Sequence, residues 1–319
     1  MLDIVFIIFT QGLPVCLMAL GIFLTFRLLD FADMTAEGSF IIAAAITVAC
    51  LNKGINPILA SIFAMLGGAA CGAITGVLNR ILQIPKLLSG IITMTACGGL
   101  VFFIFGFNKL TGTFNGYVSP KTETTLYSVF YGLPGRNEIW EILVMLLIVV
   151  IAIVAIYFFF GTEYGMAIRT TGMNEDMARA QGINTTLAAI ICIAISNGLI
   201  ALGASLIYQE GGSMVKVGVE SGRLVIGLAA VLIGEAIFGK RTFKNWLISV
   251  SLGAIVYYVI ITIVLNVGSD EYKTAMDSIK RLLYAVLILF ALCLPLIKKG
   301  INTLISKAKE KNALESEVK

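Results

Sequence analysis

Apolar blocks of roughly twenty residues recur along this 319-residue chain, and they constrain it more than any other feature. An α-helix rises about 1.5 Å per residue, so about 20 apolar residues cross a hydrocarbon core of about 30 Å. Blocks of that kind fall at 4–26, 36–51, 57–79, 87–107, 139–160, 186–208, 222–238, 245–266 and 279–297. With 58% of residues apolar and 13% charged, the chain carries more apolar surface than a soluble core can hide. The reading is an all-α integral membrane protein of about nine transmembrane helices, a single domain over 1–297 with a charged tail over 298–319. The first block lacks a small-residue cleavage site after it, so it reads as a retained span.

An odd number of spans puts the termini on opposite sides, and the Lys/Arg distribution selects the side. Placing the C-terminus inside puts fourteen of the 23 Lys and Arg inside and nine outside. Six of the fourteen lie in the tail, so the tail decides for N-out, C-in. Lys298 and Lys299 are placed to meet the lipid surface, and the rest of the tail reads as a solvated terminus.

The six cysteines (Cys16, Cys50, Cys71, Cys97, Cys192 and Cys293) fall inside or at the ends of the blocks, with no C-x-x-C pair and no histidine in the chain. That pattern argues against metal or redox chemistry and for thiols used as small packing residues.

In the third block Ala60, Ala64, Gly68, Gly72 and Gly76 recur at every fourth position. They line one helix face that another helix can approach closely, most simply within the same chain. Two segments also look alike, one opening at Glu37-Gly-Ser-Phe and the other at Glu220-Ser-Gly-Arg, and each opens the shortest span of its half. In the proposed topology they run in opposite directions. The expectation is an inverted repeat of four spans, about 4–107 and 186–297, around a linker span at 139–160 and a loop at 161–185. The carboxylates of Glu37 and Glu220 would then cap helix N-termini near the membrane surfaces.

The polar stretch 161–183 is longer than a helical hairpin needs. Its second part has helix punctuation: Asn174 as cap, Glu175 and Asp176 in the positive first turn, and Gly182 as a left-handed stop. Such a helix, 174–181, is about 12 Å long. It is expected to present Met177, Ala178, Arg179 and Ala180 on a cytoplasmic face to a soluble motor.

This stretch, from Gly165 to Gly182, resembles the cytoplasmic coupling loop of permeases in the branched-chain amino acid and ribose importer family. The likeness extends to Phe31-Ala-Asp-Met-Thr-Ala-Glu-Gly-Ser-Phe, to Ile84-Pro-Lys-Leu-Leu-Ser-Gly-Ile-Ile-Thr-Met-Thr-Ala and to Ile226-Gly-Leu-Ala-Ala-Val-Leu-Ile-Gly-Glu, which are similar to the tryptophan- and tyrosine-uptake subgroup. It covers roughly 11–296. Two departures stand out: a polar run at 108–138 replaces the usual aromatic-rich outer loop, and Met173 stands where similar proteins often carry Asp.

The resemblance implies a permease subunit of an ATP-binding-cassette importer, working as a homodimer or pseudo-dimer in a bacterial cytoplasmic membrane. Its partners would be two cytoplasmic ATPases, which bind the ATP and Mg, and an extracytoplasmic binding protein or lipoprotein that selects the solute. No cofactor is expected in this chain, and no nucleic acid. An amino acid, aromatic by preference, is the solute the resemblance suggests. The ATPase-coupling residues it points to are Arg169, Gly172, Asn174, Glu175, Asp176, Met177, Ala178, Arg179, Ala180 and Gly182. Candidates for the translocation path are Gln11, Glu37, Ser39, Ser89, Glu220 and Ser221. The polar run at 108–138 and the segment 210–220 are candidates for docking the binding protein.

Gly234-Glu-Ala-Ile-Phe-Gly-Lys-Arg nearly spells a phosphate-binding loop, but Arg241 replaces the required Ser or Thr and the segment ends a membrane helix. ATP hydrolysis is therefore expected in another chain, with Lys240, Arg241 and Lys244 as positive-inside anchors. The competing reading is a secondary transporter driven by an ion gradient, which normally places an ionisable side chain inside the membrane. On sequence grounds every charged residue falls in or near a loop, and Gln11 is the polar side chain that looks most buried. A membrane-embedded enzyme would need clustered acids, bases or ligands within the spans, and none is visible.

Overall fold

The computed structural model describes residues 2–105, 107–108, 113–114, 117–118, 138–210, 215–216 and 222–266, and positions 286 and 289. The helices in chain order are α1 (Leu2–Phe23), continued by a π-helical turn (Leu24–Leu28), α2 (Thr35–Asn52), α3 (Pro57–Arg80), α4 (Lys86–Phe105), α5 (Glu138–Phe159), α6 (Glu163–Met173), α7 (Glu175–Ala180), α8 (Thr185–Glu210), α9 (Arg223–Phe238) and α10 (Phe243–Asn266). Among the described residues, seven helices are long and apolar enough to cross a membrane: α1 with its π-turn, α2 to α5, α8 and α10. The block at 222–238 forms α9, only 16 residues and about 24 Å long. The expected span at 279–297 and the tail at 298–319 lie outside the described residues.

The helix α8, the longest described at 26 residues, is the axis of the packing. Antiparallel α1 lies along it, with Ser196 Oγ donating to the Gly21 carbonyl at 2.7 Å and Cys192 Sγ to the Leu24 carbonyl at 3.6 Å. Parallel α2 lies on it too, joined by Ser39 to Asn197 and Thr47 to Ser205, each at 2.8 Å. The small-residue stripe of α3 packs on α8 within the chain. Ala60 and Ala64 are fully buried, and a Cβ on Gly68, Gly72 or Gly76 would fall 2.3–2.9 Å from atoms of Ala201, Ile193 or Ile190. That is the close backbone approach expected of the stripe. In the other half, Gly234 on α9 and Gly253 on α10 touch backbone to backbone.

The helix α5 is the most apolar span and the least buried, as suits a helix facing lipid. Cys16, Cys71, Cys97 and Cys192 are buried and Cys50 is half-buried, all as thiols; Cys293 is outside the described residues.

Among the described residues, four two-residue strands add a small non-helical feature to the helices. The pair β1 (Phe107–Asn108) and β2 (Thr113–Phe114) is antiparallel, as is the pair β3 (Tyr117–Val118) and β4 (Val215–Lys216). Pairing Tyr117 with Lys216 and Val118 with Val215 brings parts of the 108–138 run and of the 210–220 segment together at one end of the bundle. At the opposite end stand Arg27, Arg80, Lys86, Arg169, Arg179, Lys240, Arg241 and Lys244, at the helix termini or in the connections around α6 and α7.

One element was not expected. Within the loop expected at 161–185 the sequence offers helix punctuation only for 174–181, yet 163–173 form helix α6, capped by Thr162 accepting from Gly165 N at 3.4 Å. The glycines serve contact instead of breaking the helix. A Cβ on Gly165 would stand 2.3 Å from Phe160 Cα, and one on Gly172 only 1.6 Å from the Leu28 carbonyl oxygen.

Candidate functional site

Two groups of residues stand out: a surface segment, α6 and α7, pressed onto the end of α1, and a polar seam inside the bundle. In the surface segment the expected punctuation is present. Asn174 Oδ1 accepts from Met177 N at 2.9 Å, and Gly182 has φ +80°, a conformation that glycine adopts without strain. The chain leaves α7 through Ile183 N donating to the Ala178 carbonyl at 3.0 Å.

Glu175 fastens α7 to the bundle. Its Oε1 accepts from Arg80 Nη1 at 2.6 Å and from Arg179 Nη2 at 2.7 Å. Arg179 Nε also donates to Thr185 Oγ1 at 3.1 Å, at the start of α8. The hydrogen bond from Arg80, with the charges of Arg80 and Arg179, holds the Glu175 carboxyl below the usual carboxylate range despite some desolvation. Arg169 lays its guanidinium 4.8 Å above the ring of Phe243, tying α6 to α10.

The predicted coupling residues thus lie on one segment, but they divide in role. Asn174, Asp176, Met177 and Ala180 are exposed. Ala178 is completely buried, contrary to the expectation that it faces the motor, because the short helix packs that side onto the bundle. Glu175 is half-buried against its partners, while Arg179 is 60% exposed, as expected, and still reaches Glu175 and Thr185. The exposed apolar set is instead Tyr164, Met166, Met173 and Met177, with Met173 87% exposed. Of these only Met177 was among the predicted coupling residues; Tyr164, Met166 and Met173 were missed because helix α6, which sets their direction, was not anticipated.

Beneath the segment lies the π-turn. Its wide turn is closed by Leu29 N donating to the Leu24 carbonyl at 3.2 Å, and such irregular turns concentrate at functional places. Gly172 rests on its last carbonyl. Within it, Arg27 Nη2 meets Glu235 Oε2 at 2.5 Å, and Glu235 Oε1 accepts from Trp246 Nε1 at 2.9 Å. A continuous set of contacts therefore runs from α6 through the end of α1 to α9 and α10. The near-match to a phosphate loop is resolved by the same contact: Glu235 is committed to Arg27 and Trp246, and a helix, not a strand, precedes the segment.

The polar seam lies deeper. Asp33 is 4% exposed; its Oδ1 accepts from Thr35 N at 2.8 Å and its Oδ2 from Asn197 Nδ2 at 2.6 Å. Ser39 Oγ donates to Asn197 Oδ1. Thr35, Thr75 and Thr93 continue the seam toward α3 and α4, with hydroxyl contacts of 2.6 and 2.8 Å. Asn197 is at the middle of α8, about 18 Å along its axis from Thr185. The first turn of α2 therefore begins inside the bundle, and two expectations are corrected. Asp33 and Glu37 are acids well below the membrane-facing ends, where the linear reading placed every charge near a surface. Glu37 is 8% exposed and its Oε1 accepts from Gly222 N at 2.8 Å. Its carboxylate thus caps α9 across the molecule, and the starts of the two short helices meet.

Other predicted path residues fall elsewhere. Gln11 is exposed, not buried, because it lies just before the stretch of α1, residues 12–25, that the bundle encloses completely. Ser89 is buried but spends its hydroxyl on the Lys86 carbonyl at 2.8 Å, within the first turn of α4. Ser39 is in the seam. Glu220 and Ser221 lie outside the described residues. Arg223, next to them at the start of α9, stacks 4.8 Å above the ring of Phe40. Asn197 was missed because a single amide inside an apolar block gives no sign of its partner 164 residues away. Among the described residues no three metal-ligating side chains gather in one place.

Residues 4–292 match the family model described as branched-chain amino acid transport system, permease component. A tyrosine transport system permease protein of Clostridioides difficile is 34% identical over 262 residues, 82% of this chain and 83% of the relative. An inner membrane ABC transporter permease protein of Escherichia coli is 25% identical, covering 73% of this chain and 69% of its own. A fructose import permease protein of Bifidobacterium longum is 24% identical, over 90% and 75% of the two chains. No solved structure matches.

Proposed function

The chain belongs to the branched-chain amino acid transport system permease family, and from that premise we propose that it translocates an amino acid, aromatic by preference, for an ATP-driven importer. It is a multi-pass membrane permease subunit, a transporter component and not a catalytic enzyme. The amino-acid assignment rests on the relative whose name specifies tyrosine, 34% identical, against 24% for the one named for fructose.

The observation that carries the mechanism is the seat of Gly172 on the Leu28 carbonyl, directly beneath the exposed Met173. A partner ATPase that grips Tyr164, Met166, Met173 and Met177 moves α6 and α7 together. The contact at Gly172 passes the motion to the π-turn, and from there along two routes. Arg27 and Glu235 lead to α9, while the short connection after Leu28 leads through Asp33 to the start of α2. These are the two helices whose first turns meet at Glu37 and Gly222. Separating or sliding those turns opens the seam to one side and then the other. In this reading Asn174, Glu175, Arg179 and Gly182 keep α7 in shape and attached, and Arg169 anchors α6.

The rest of the assembly follows the family. It comprises a second copy of the permease, two cytoplasmic ATPases carrying ATP and Mg, and an extracytoplasmic binding protein or lipoprotein in a bacterial cytoplasmic membrane. Nine spans with N-out and C-in suit the eight basic residues around α6 and α7. The opposite orientation of the short helices α2 and α9 supports inverted repeats over 4–107 and 186–297 around the linker at 139–160. The binding protein would dock at the end where 117–118 pair with 215–216, a contact that supports the candidate segments 108–138 and 210–220.

The test is uptake of labelled tyrosine into proteoliposomes holding the permease and its ATPase, with loaded binding protein outside. Uptake should require internal ATP and survive an ionophore. Uptake abolished by the ionophore and indifferent to ATP would instead select the ion-coupled transporter, with Asp33 and Glu37 as the groups to examine.

A further inference from the structure

The connection between α3 and α4 forms a second feature, separate from the seam and from the exposed methionines. A cleft of about 380 Å³ is lined by Asn79, Arg80, Gln83, Lys86, Arg179 and Thr186, among others. Three of its lining residues are cations and none is a carboxylate. Glu175, bonded to Arg80 and Arg179, offsets one of the three charges. The Arg80 side chain is only 10% exposed, and its buried Nε has no hydrogen-bond partner. An orphaned guanidinium donor in a site of excess positive charge calls for an acceptor. The helices α4 and α8 both start at the cleft, at Lys86 and close to Thr186, so two positive helix ends add to the field.

The rim identifies the source of the anion. Ile81, Leu82, Leu87 and Leu88 flank the cleft at 48–60% exposure, and they continue into the exposed apolar faces of α3 and α4 at Ile74, Val77, Ile91 and Ile92. A free ion has no use for that rim, whereas a lipid fills it with acyl chain while its phosphate reaches the guanidinium. We propose that this cleft binds the phosphate of an anionic lipid, of the phosphatidylglycerol class. Basic pockets between helices at a membrane surface recognise such headgroups. The headgroup fits between the last turn of α3, the first turn of α4 and Arg179 of α7, so lipid composition would bear directly on the seating of the coupling segment.

Native mass spectrometry of the purified chain tests this, with phosphatidylglycerol, phosphatidylcholine and inorganic phosphate as probes. Three variants with the same net charge separate a site from general attraction: Gln83→Glu and Lys86→Gln in the cleft, and Lys244→Gln on the far side of the same surface. One phosphatidylglycerol should bind the wild type more tightly than phosphatidylcholine does. Gln83→Glu and Lys86→Gln should each weaken it about fivefold, the effect of about one basic residue facing an anionic lipid, and Lys244→Gln should not. Equal weakening by all three, or by none, overturns the site. Displacement of the lipid by millimolar inorganic phosphate overturns the lipid assignment in favour of a free anion. Loss of ATPase co-purification in the cleft variants with lipid binding unchanged gives the cleft to the motor and also refutes the proposal.

Discussion

Replacing Gly172 by alanine isolates the contact between the surface segment and the bundle. The new Cβ would lie 1.6 Å from the Leu28 carbonyl oxygen and 2.7 Å from its carbon, both backbone atoms. Ordinary contact starts near 3.4 Å, so α6 must back away from the π-turn by about 1.8 Å, a gap a close-packed interior does not absorb elsewhere. Overpacking costs about 1–3 kcal/mol. Alanine in place of glycine inside a helix returns up to about 1 kcal/mol. Global stability therefore falls only modestly while the lever is displaced from its seat. In proteoliposomes Gly172→Ala should keep ATP hydrolysis within about twofold of wild type and lose at least about tenfold in tyrosine moved per ATP, the effect of about 1.4 kcal/mol on the coupled step. Gly198→Ala is the control, because its Cβ meets nothing closer than 3.4 Å. If Gly172→Ala transports at the wild-type ratio, or if Gly198→Ala loses coupling equally, the route through Leu28 is refuted.

Three further outcomes are expected. Arg27→Glu or Glu235→Arg alone should destabilise by about 2–3 kcal/mol, below the usual cost for a fully buried pair because Arg27 is partly exposed, and the double swap should restore most of the melting temperature and the transport; no restoration would leave the pair without a mechanical role. Asn197→Leu strands Asp33 and Ser39 without their amide partner and should cost about 2–3 kcal/mol, read as a lower thermal midpoint in detergent, whereas a change below about 0.5 kcal/mol would mean that the seam is not structurally needed. Glu175, whose carboxyl titrates below its unfolded value of about 4.3, contributes stability that is present above that pH and lost as pH falls through the folded value. Partial exposure limits the term to about 0.5–1 kcal/mol, so melting temperatures at pH 7 and pH 3 should differ less in Glu175→Gln than in wild type.

The spans were legible in the sequence because hydrocarbon sets a minimum length that composition reveals directly. The blocks at 57–79, 139–160 and 186–208 agree with α3, α5 and α8 to within a few residues at each end. The Ala60 to Gly76 stripe also disclosed its role, since a face without side chains can only be a close contact. Local signals at Asn174 and Gly182 were read correctly for the same reason: cap and left-handed stop depend on neighbours within four residues. The errors have a common origin. Gln11 looked buried and is exposed, Ala178 looked exposed and is buried, and Asp33 looked like part of a loop at the surface. Each depends on which side of a helix, or how far into the bundle, a neighbouring element comes to lie.

The sequence by itself determined that this is a helical membrane protein, where most of its helices run, and that a short capped helix follows Asn174, because length, apolarity and end-capping act over a few turns of chain. Only the tertiary structure decided that Gly172 bears on Leu28, that Arg27 holds Glu235, and that Glu37 of α2 caps α9 at Gly222. Those contacts join residues from 144 to 208 positions apart along the chain. Their specificity comes from packing a closed bundle around α8, where side-chain direction and depth are set jointly by all the helices and by no local stretch of sequence.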